Sequence, residues 1–236
     1  MIDSYENFNK KQKWDFDDML NKALNEMGTT NIIIAGKTGV GKSTLINSVF
    51  EGNMADTGQG KPVTNNIKQI TKDSIPVSIY DTKGLELDNY KEVTKELVGK
   101  VKEKRTEDHN EHIHVAWICI SEDSRRIENQ EIELANALAN EGIPVIAVIT
   151  KARSDNGFKK IVEKELYCTK NCVRVRSICE KLDDGIVLRP MGLEKLIEIT
   201  IEVLPEAHRQ AFITAQKVDL DAKVKIETGD EFEDLA

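Results

Sequence analysis

The sequence predicts an α/β fold in which a mostly parallel sheet lies between two layers of helices. Four short runs rich in β-branched residues have the continuous apolar character of buried strands, at 31–35, 75–80, 113–120 and 143–149. Four longer segments carry the 3.6-residue period of helices, at 45–50, 91–103, 129–141 and 193–204. Because parallel neighbours need long crossover connections, this alternation predicts a three-layer α/β/α arrangement.

Two further segments complete the predicted sheet. Residues 67–71 are expected to form an antiparallel edge strand and residues 172–177 the last strand, which gives about six strands, as is usual for this class. Residues 181–190 are expected to be a loop, because proline and glycine punctuate the chain before the final core helix.

The two ends of the chain are expected to extend this domain. Apolar residues between Trp14 and Met27 recur at helical spacing and predict an N-terminal helix. The segment after Pro205 begins as a helix and ends acidic and poor in apolar residues, which is typical of a frayed end. The predicted organisation is an extension at 1–28, a main domain at 29–204, and a C-terminal helix with an acidic tail at 205–236.

Composition excludes some classes of function. With 39% hydrophobic residues the chain of 236 residues can bury one good core. The net charge of −8 argues against a charge-driven binder of DNA or other polyanions. No apolar run approaches the roughly 20 residues of a membrane helix, and the N-terminus lacks the apolar stretch of a signal peptide. A cytoplasmic location is therefore expected.

The four cysteines are too sparse to predict a disulfide framework. Cys119 lies inside an apolar run, where a buried free thiol packs well. Cys168 and Cys172 could join a histidine in a zinc site, but the two groups are distant in sequence and no Cys-x-x-Cys pair is present. Free thiols are the better interpretation. The histidines of that alternative are His109, His112 and His114.

The clearest motif is the run GKTGVGKST at residues 36–44, which fits G-x-x-x-x-G-K-[ST] between a predicted strand and a predicted helix. Its glycines allow successive backbone N–H groups to curl around a phosphate, and the helix N-terminus adds its positive dipole end. Lys42 is expected to reach the β- and γ-phosphates, and Ser43 to bind Mg²⁺. The residues expected to contact nucleotide here are Lys37, Thr38, Gly39, Val40, Gly41, Lys42, Ser43 and Thr44.

A second motif, Asp-x-x-Gly, follows the apolar strand that ends in Asp81. Ligands of open α/β sheets bind at the carboxyl ends of strands, so Asp81 is expected to hold Mg²⁺ there. Gly84 can bring its backbone N–H against a γ-phosphate because no side chain blocks the approach. In the loop between the two motifs, Thr64 is the favoured second hydroxyl ligand of the metal, with Thr57 as the alternative.

With these motifs in order, the sequence resembles the Ras-like superfamily of P-loop GTPases, in particular the Era-like bacterial group described as ribosome-binding. The resemblance covers roughly residues 30–215 and implies a G domain that binds GTP and GDP with Mg²⁺ and switches between the two states. The segment GKTGVGKST is also similar to the phosphate loop of septins and chloroplast import receptors, which dimerise across the nucleotide. It therefore implies a protein partner or a second copy of the chain, and by family analogy a peripheral or ribosomal association.

The base-recognition motif of the family is Asn/Thr-Lys-x-Asp, and this sequence departs from it. Thr150 and Lys151 match, and the lysine stem can stack on the base, but the aspartate position holds Arg153. A guanidinium has no hydrogen-bond acceptor, so guanine preference must come from Asp155, from backbone carbonyls or from a partner chain. Ser177 matches the last loop of the family, whose backbone reads the guanine oxygen.

The resemblance also implies slow hydrolysis. Leu85 stands where Ras-like enzymes place the glutamine that orients the attacking water, and Glu86 is the nearest polar candidate. Lys42, Thr64 and Gly84 are the residues expected to act in catalysis. Gly39 replaces the asparagine of potassium-activated relatives, which weakens a potassium requirement.

Arg125 and Arg126 could serve as charge-stabilising fingers across a dimer, although an exposed pair at a helix start is the favoured interpretation.

The predicted function is a GTPase switch. The alternatives are an ATP hydrolase, which Arg153 keeps open, and an assembly protein in which hydrolysis is incidental; a small-molecule kinase is disfavoured because no lid or acceptor-binding pattern is present.

Overall fold

The computed structural model describes residues 28–50, 53–57, 59–73, 75–84, 90–183 and 185–218. The helix predicted before Met27 and the acidic end of the chain lie outside these residues, so both stay predictions. Within the described ranges, no helix is both long and apolar enough to span a bilayer.

A seven-stranded sheet forms the centre of the domain. Its strands are β1 (Thr30–Ala35), β2 (Gln59–Pro62), β3 (Ile67–Lys72), β4 (Ile75–Thr82), β5 (Val115–Ser121), β6 (Val145–Thr150) and β7 (Asn171–Arg174). The spatial order is β2-β3-β4-β1-β5-β6-β7. β1 pairs in parallel with both β4 and β5, and β6 pairs in parallel with β5 and β7. The predicted α/β class and parallel core are confirmed.

The predicted strand count and edge were wrong. β3 does run antiparallel to β4, but it is not the edge, because β2 pairs antiparallel with its other side. β2 has the sequence QGKP, and glycine and proline are depleted from strands, so the segment has the sequence of a turn. Proline is tolerated in a strand at the sheet edge, where its missing N–H interrupts no ladder, and Pro62 lies in that strand.

Helices cover both faces of the sheet. They are α1 (Lys42–Val49), α2 (Met54–Thr57), α3 (Tyr90–Arg105), α4 (Asn129–Asn140), α5 (Phe158–Glu165), α6 (Leu193–Val203) and α7 (Glu206–Ala215). Short 3₁₀ turns cover His109–Glu111 and Glu122–Ser124. The expected loop at 181–190 instead contains part of a small hairpin, β8 (Glu180–Lys181) paired with β9 (Val187–Leu188). The last strand of the main sheet ends at Arg174, earlier than predicted.

Two hydrophobic cores result from the alternation of side chains along the strands. Ile32 and Ile34 of β1 face the core that contains Leu45 of α1, whereas Ile33 faces the core that contains Leu134 of α4. All five are at most 1% exposed. Since burying one such side chain contributes about 1.5–3 kcal/mol, the two cores hold the sheet rigidly between its helix layers.

The helix α7 packs against the core that contains Leu45. Phe212 of α7 and Trp117 of β5 both pack against Phe50, which follows α1. Gln216 forms an isolated β-bridge with Phe50, and the Lys217 N–H donates to the Val49 carbonyl at 2.8 Å. The end of α7 is therefore fastened to the end of α1, beyond the predicted domain limit at residue 204.

Candidate functional site

The phosphate loop connects β1 to α1 at the carboxyl edge of the sheet. Gly39 and Gly41 adopt left-handed backbone conformations with φ of 76° and 98°, and a Cβ at either position would meet nothing within 4 Å. Glycine is needed there for its conformation. Gly36 is needed for space, since a Cβ would lie 2.4 Å from the Cys119 carbonyl oxygen. The loop thus bends around an open concavity while it lies directly on β5.

Lys42, the first residue of α1, is 8% exposed. Its Nζ donates to the carbonyl oxygens of Gly36 and Lys37 at 2.8 and 3.2 Å. The ammonium is therefore folded over the loop and bonded only to neutral oxygens in the described chain, which leaves an anion as its natural counter-charge. Ser43 and Thr44 follow it on the first turn of α1 and are exposed.

Asp81 is the penultimate residue of β4 and lies opposite Ile34 of β1, at the carboxyl edge of the sheet. Its Oδ1 is buried and has no hydrogen-bond partner within the described residues. Burial raises the pKa of Asp81, and the charges of Lys42 and Lys68 oppose that rise. An orphaned carboxylate oxygen is a suitable ligand for a hard cation, so Asp81 together with the Ser43 hydroxyl fits the donor set that Mg²⁺ prefers.

Gly84 lies against the phosphate loop. A Cβ at this position would approach the Thr38 backbone nitrogen to 2.4 Å and its Oγ1 to 2.0 Å. The Asp-x-x-Gly segment can reach the loop this closely only because residue 84 has no side chain. Leu85 and Glu86 lie outside the described residues, so their predicted roles stay untested.

Thr64 is held by hydrogen bonds to α3 and to its own loop, and its predicted role at the metal stays a prediction. Its hydroxyl donates to Glu96 of α3 and accepts from the backbone N–H groups of Asn66 and Ile67, at 3.2 and 3.0 Å. The Asn66 side chain donates to the same carboxylate at 3.2 Å. The alternative, Thr57, ends α2, and its side chain is outside the description.

The base motif begins at the end of β6. The Thr150 hydroxyl lies 2.6 Å from the Val40 carbonyl oxygen and 3.2 Å from that of Ile120. This contact joins the base motif to the phosphate loop. Lys151 is exposed and has a positive φ of 54°, a conformation that non-glycine residues rarely adopt and that is often found at functional sites.

Arg153 turns toward the hairpin. Its Nε donates to Glu180 Oε2 at 2.8 Å, and its Nη2 donates to the other oxygen of that carboxylate. Its Nη1 also lies 3.7 Å from Asp123. The position that the family gives to an aspartate therefore holds an arginine that forms a bidentate ion pair with Glu180.

Glu122 organises this loop, and sequence reasoning missed it. Its side chain is 1% exposed and accepts from the backbone N–H groups of Arg153 and Ser154 at 2.5 and 2.8 Å and from Arg174 Nε at 2.6 Å. Burial favours the neutral acid, but these hydrogen bonds outweigh it and lower the pKa of Glu122. The available signal was an acidic residue directly after β5, at the ligand-binding edge.

Asp155 serves α5. Its Oδ1 accepts from the Lys159 N–H at 2.8 Å and lies 3.6 Å from Arg174 Nε. Its backbone oxygen accepts from Arg125 Nη1 at 2.7 Å, and Arg125 also binds the Ser154 carbonyl. Arg125 therefore supports the base loop of its own chain, whereas Arg126 is largely exposed and pairs with Glu128 at 3.3 Å.

A cleft of about 610 Å³ joins the start of α1 to the last loop. Its lining includes Ser43, Thr44, Ser177, Ile178, Leu193 and Lys217. The Ser177 carbonyl accepts from the Ser48 hydroxyl at 3.1 Å, which fixes this loop to α1. Within the described part of the chain, no group of three or more His, Cys, Asp or Glu side chains is arranged to hold a metal, so the zinc alternative has no support there.

Comparison with known proteins places the chain among GTPases. A family model described as 50S ribosome-binding GTPase matches residues 31–151, just over half of the 236 residues. Translocase of chloroplast 101 of Physcomitrium patens is 46% identical over 56 residues, which are 23% of this chain and 6% of that protein. The tRNA modification GTPase MnmE of Treponema denticola is 26% identical over 164 residues, 66% of this chain and 32% of that protein.

The chain thus spans less than a third of the length of these curated relatives. Among solved structures, a probable GTP-binding protein EngB superposes with a TM-score of 0.51 at 19% identity, over 74% of this chain and 98% of that one. At this identity the likeness shows the fold alone, and the range matched by the family, 31–151, contains both the phosphate loop and Asp81. The chain belongs to the 50S ribosome-binding GTPase family and contains its GTP-binding G domain.

Proposed function

We propose that this domain binds GTP and GDP with Mg²⁺, hydrolyses GTP slowly, and changes its partner affinity with the nucleotide state. The observation that carries the proposal is the orphaned Asp81 Oδ1 beside a phosphate loop whose buried Lys42 ammonium is bonded only to carbonyl oxygens among the described residues. A bound magnesium triphosphate satisfies both groups, because it supplies a cation to the first and oxygen anions to the second.

Each residue has a defined role in this proposal. Lys42 and the N–H groups of residues 37–44 bind the phosphates, and Ser43 and Asp81 hold the metal, which supplies charge neutralisation when bound. Gly84 lies against Thr38, so its N–H is available to a γ-phosphate at the loop. Hydrolysis is slow because Leu85 cannot orient water.

The proposed switch is an exchange of the Thr64 hydroxyl between Glu96 and Mg²⁺. In the structure its hydroxyl donates to Glu96. In the triphosphate state it joins Ser43 and Asp81 at Mg²⁺, and loss of the γ-phosphate returns it to Glu96. The family analogy suggests a cytoplasmic partner whose affinity differs between the two states: another protein, a ribosome or a second copy of this chain.

The first test is a calorimetric titration of the magnesium-loaded protein with GDP and, separately, ADP. The expected result is a preference for GDP of tenfold or more, about 1.4 kcal/mol. Equal or tighter binding of ADP would favour the second candidate, an ATP hydrolase, which Arg153 at the aspartate position specifically supports.

Lys42→Ala tests the phosphate side in the same instrument. Because the substitution removes the charge that faces the phosphates, the affinity for a GTP analogue should fall about a hundredfold or more, about 2.7 kcal/mol. Lys170→Ala is the matched control. This exposed lysine precedes β7 and so lies at the amino ends of the parallel strands, whereas the phosphate loop lies at their carboxyl ends. Unchanged affinity of Lys42→Ala would reject the phosphate-loop assignment.

A further inference from the structure

The base side of the site lacks a carboxylate at its usual place. Guanine presents two adjacent donors, the ring N1–H and the exocyclic amine, and a carboxylate can accept from both. Arg153 has no acceptor, so another acidic side chain must provide this contact if the domain selects guanine. The described structure places four near the motif: Glu122, Asp123, Asp155 and Glu180. Glu122 is buried and already accepts from three donors of the protein.

Asp155 is already committed to its own helix. Its Oδ1 accepts from the Lys159 N–H in the first turn of α5 and faces Arg174, and its backbone is held by Arg125. Turning this carboxylate toward a base would leave that N–H without its acceptor and break the contact with Arg174, at a cost of roughly 1 kcal/mol or more. The architecture therefore gives Asp155 a structural role.

Glu180 lies beside the base-recognition loop, because both of its carboxylate oxygens accept from Arg153. It follows Ser177 by three residues, on the strand that begins the hairpin, and its side chain is 26% exposed. Hydrogen bonds from Arg153, reinforced by the charges of Arg153, Arg176 and Lys151, lower the pKa of Glu180. An ionised carboxylate thus lies next to the position that the family gives to its base-reading aspartate.

We propose that Glu180 selects guanine: Arg153 holds its carboxylate beside the base-recognition loop, and the ring N1–H and exocyclic amine replace the two guanidinium donors when the base binds. Both pairs of donors lie side by side and use the same facing lone pairs of the two oxygens, so the base exchanges with the Arg153 fork, and the half-exposed guanidinium returns to solvent. Arg153 is then a positioning residue, and its presence at the aspartate position moves the acceptor to the hairpin. This inference rests on the proposed binding of guanine nucleotides.

The test is a change of base preference in Glu180→Gln. Xanthine carries a carbonyl where guanine carries its exocyclic amine, and a glutamine amide can donate to that carbonyl while its oxygen accepts from N1–H. Titration with GDP and xanthosine diphosphate should show GDP affinity reduced about tenfold or more and xanthosine diphosphate affinity raised above that of the wild type. Asp123→Asn is the matched control, because Asp123 also neighbours Arg153 but follows β5, and it should keep the wild-type preference.

Two further variants separate this role from a structural one. Glu180→Asp keeps the charge and should retain preference for GDP over xanthosine diphosphate, with thermal unfolding confirming the fold of each variant. Asp155→Asn should lose stability without gaining xanthosine diphosphate. If Asp155→Asn gains it instead, or if Glu180→Gln does not, the assignment of Glu180 is overturned. Failure of the wild type to bind GDP would refute the proposed function itself, which is a separate result.

Discussion

The two halves of the nucleotide site are built by different means. On the phosphate side, backbone geometry dominates: Gly36 and Gly84 permit approaches to Cys119 and Thr38 that any side chain would block. On the base side, charged side chains hold the loop, with Glu122 bonded to three donors and Arg153 paired with Glu180. Backbone geometry tolerates few sequences, whereas an ion-paired network can move its acceptor from one strand to another. This difference explains why the sequence keeps the phosphate motif and departs from the base motif.

The largest expected effect tests the backbone side. Gly36→Ala places a Cβ 2.4 Å from the Cys119 carbonyl oxygen, between two central strands that cannot separate freely. Overpacking of this kind typically destabilises by about 1–3 kcal/mol and here should reach the upper end of that range. Gly99→Ala is the control, because a Cβ in that position of α3 meets nothing within 4 Å and should stabilise the helix by up to about 1 kcal/mol. Urea unfolding measures both, and equal stability of the two variants would contradict the distinction.

Glu122→Gln tests the charged side. The substitution weakens three hydrogen bonds and leaves Arg174 without its buried counter-charge, so the free energy of unfolding should fall by about 2 kcal/mol. Because the pKa of Glu122 is lowered in the folded protein, its stabilisation is complete above the ordinary value of 4.5 and is lost as the pH falls through the folded value.

The variant and the wild type should therefore converge in stability below pH 4.5, and unfolding curves at several pH values measure this convergence. Glu133→Gln, at an exposed position of α4, is the control. A stability difference that stays constant into acid would contradict the role given to the Glu122 charge.

Thr150→Val tests the connection between the two halves. Its hydroxyl donates the hydrogen bond that joins the base motif to the phosphate loop. Valine keeps the shape of the side chain while removing this donor. The expected loss is about 1 kcal/mol of stability, accompanied by weaker GDP binding. Thr150→Ser keeps the hydroxyl and should retain both properties, measured by thermal unfolding and titration. If Thr150→Ser binds GDP more weakly and Thr150→Val does not, packing and not the hydrogen bond joins the two halves.

The smallest expected effect concerns Glu96. Glu96→Ala removes the acceptor that holds Thr64, so the ratio of affinities for a GTP analogue and GDP should rise by about threefold to tenfold, the equivalent of one hydrogen bond. Glu92→Ala, one turn earlier on the same helix, is the control. An unchanged ratio in Glu96→Ala would show that this contact does not oppose the triphosphate state.

The same contrast explains what sequence could predict. The phosphate loop and Asp81 could be predicted because their requirements lie within contiguous residues that follow predicted strands. Glu122, Arg174 and Glu180 come from three separate segments that meet only when β5, β6, β7 and the hairpin are assembled. No local pattern distinguishes Arg174 and Glu180 from solvated charges, and only the position of Glu122 directly after β5 was a signal.

The missed elements have related causes. β2 has turn-like composition, and its pairing with β3 overrides that preference. The predicted metal role of Thr64 depends on a conformational state, so a sequence pattern could indicate the residue without indicating its partner in this structure, Glu96.

The seam between α1 and the end of α7 has a mechanical consequence. The Lys217 N–H is bonded to the Val49 carbonyl, and Gln216 pairs with Phe50, so residues 216 and 217 are fastened to the end of the helix that begins at Lys42. Tension applied to the chain beyond residue 218 is carried first by this helix and only then by the sheet. A load placed on that end is thus delivered to the element that carries the phosphate-binding lysine.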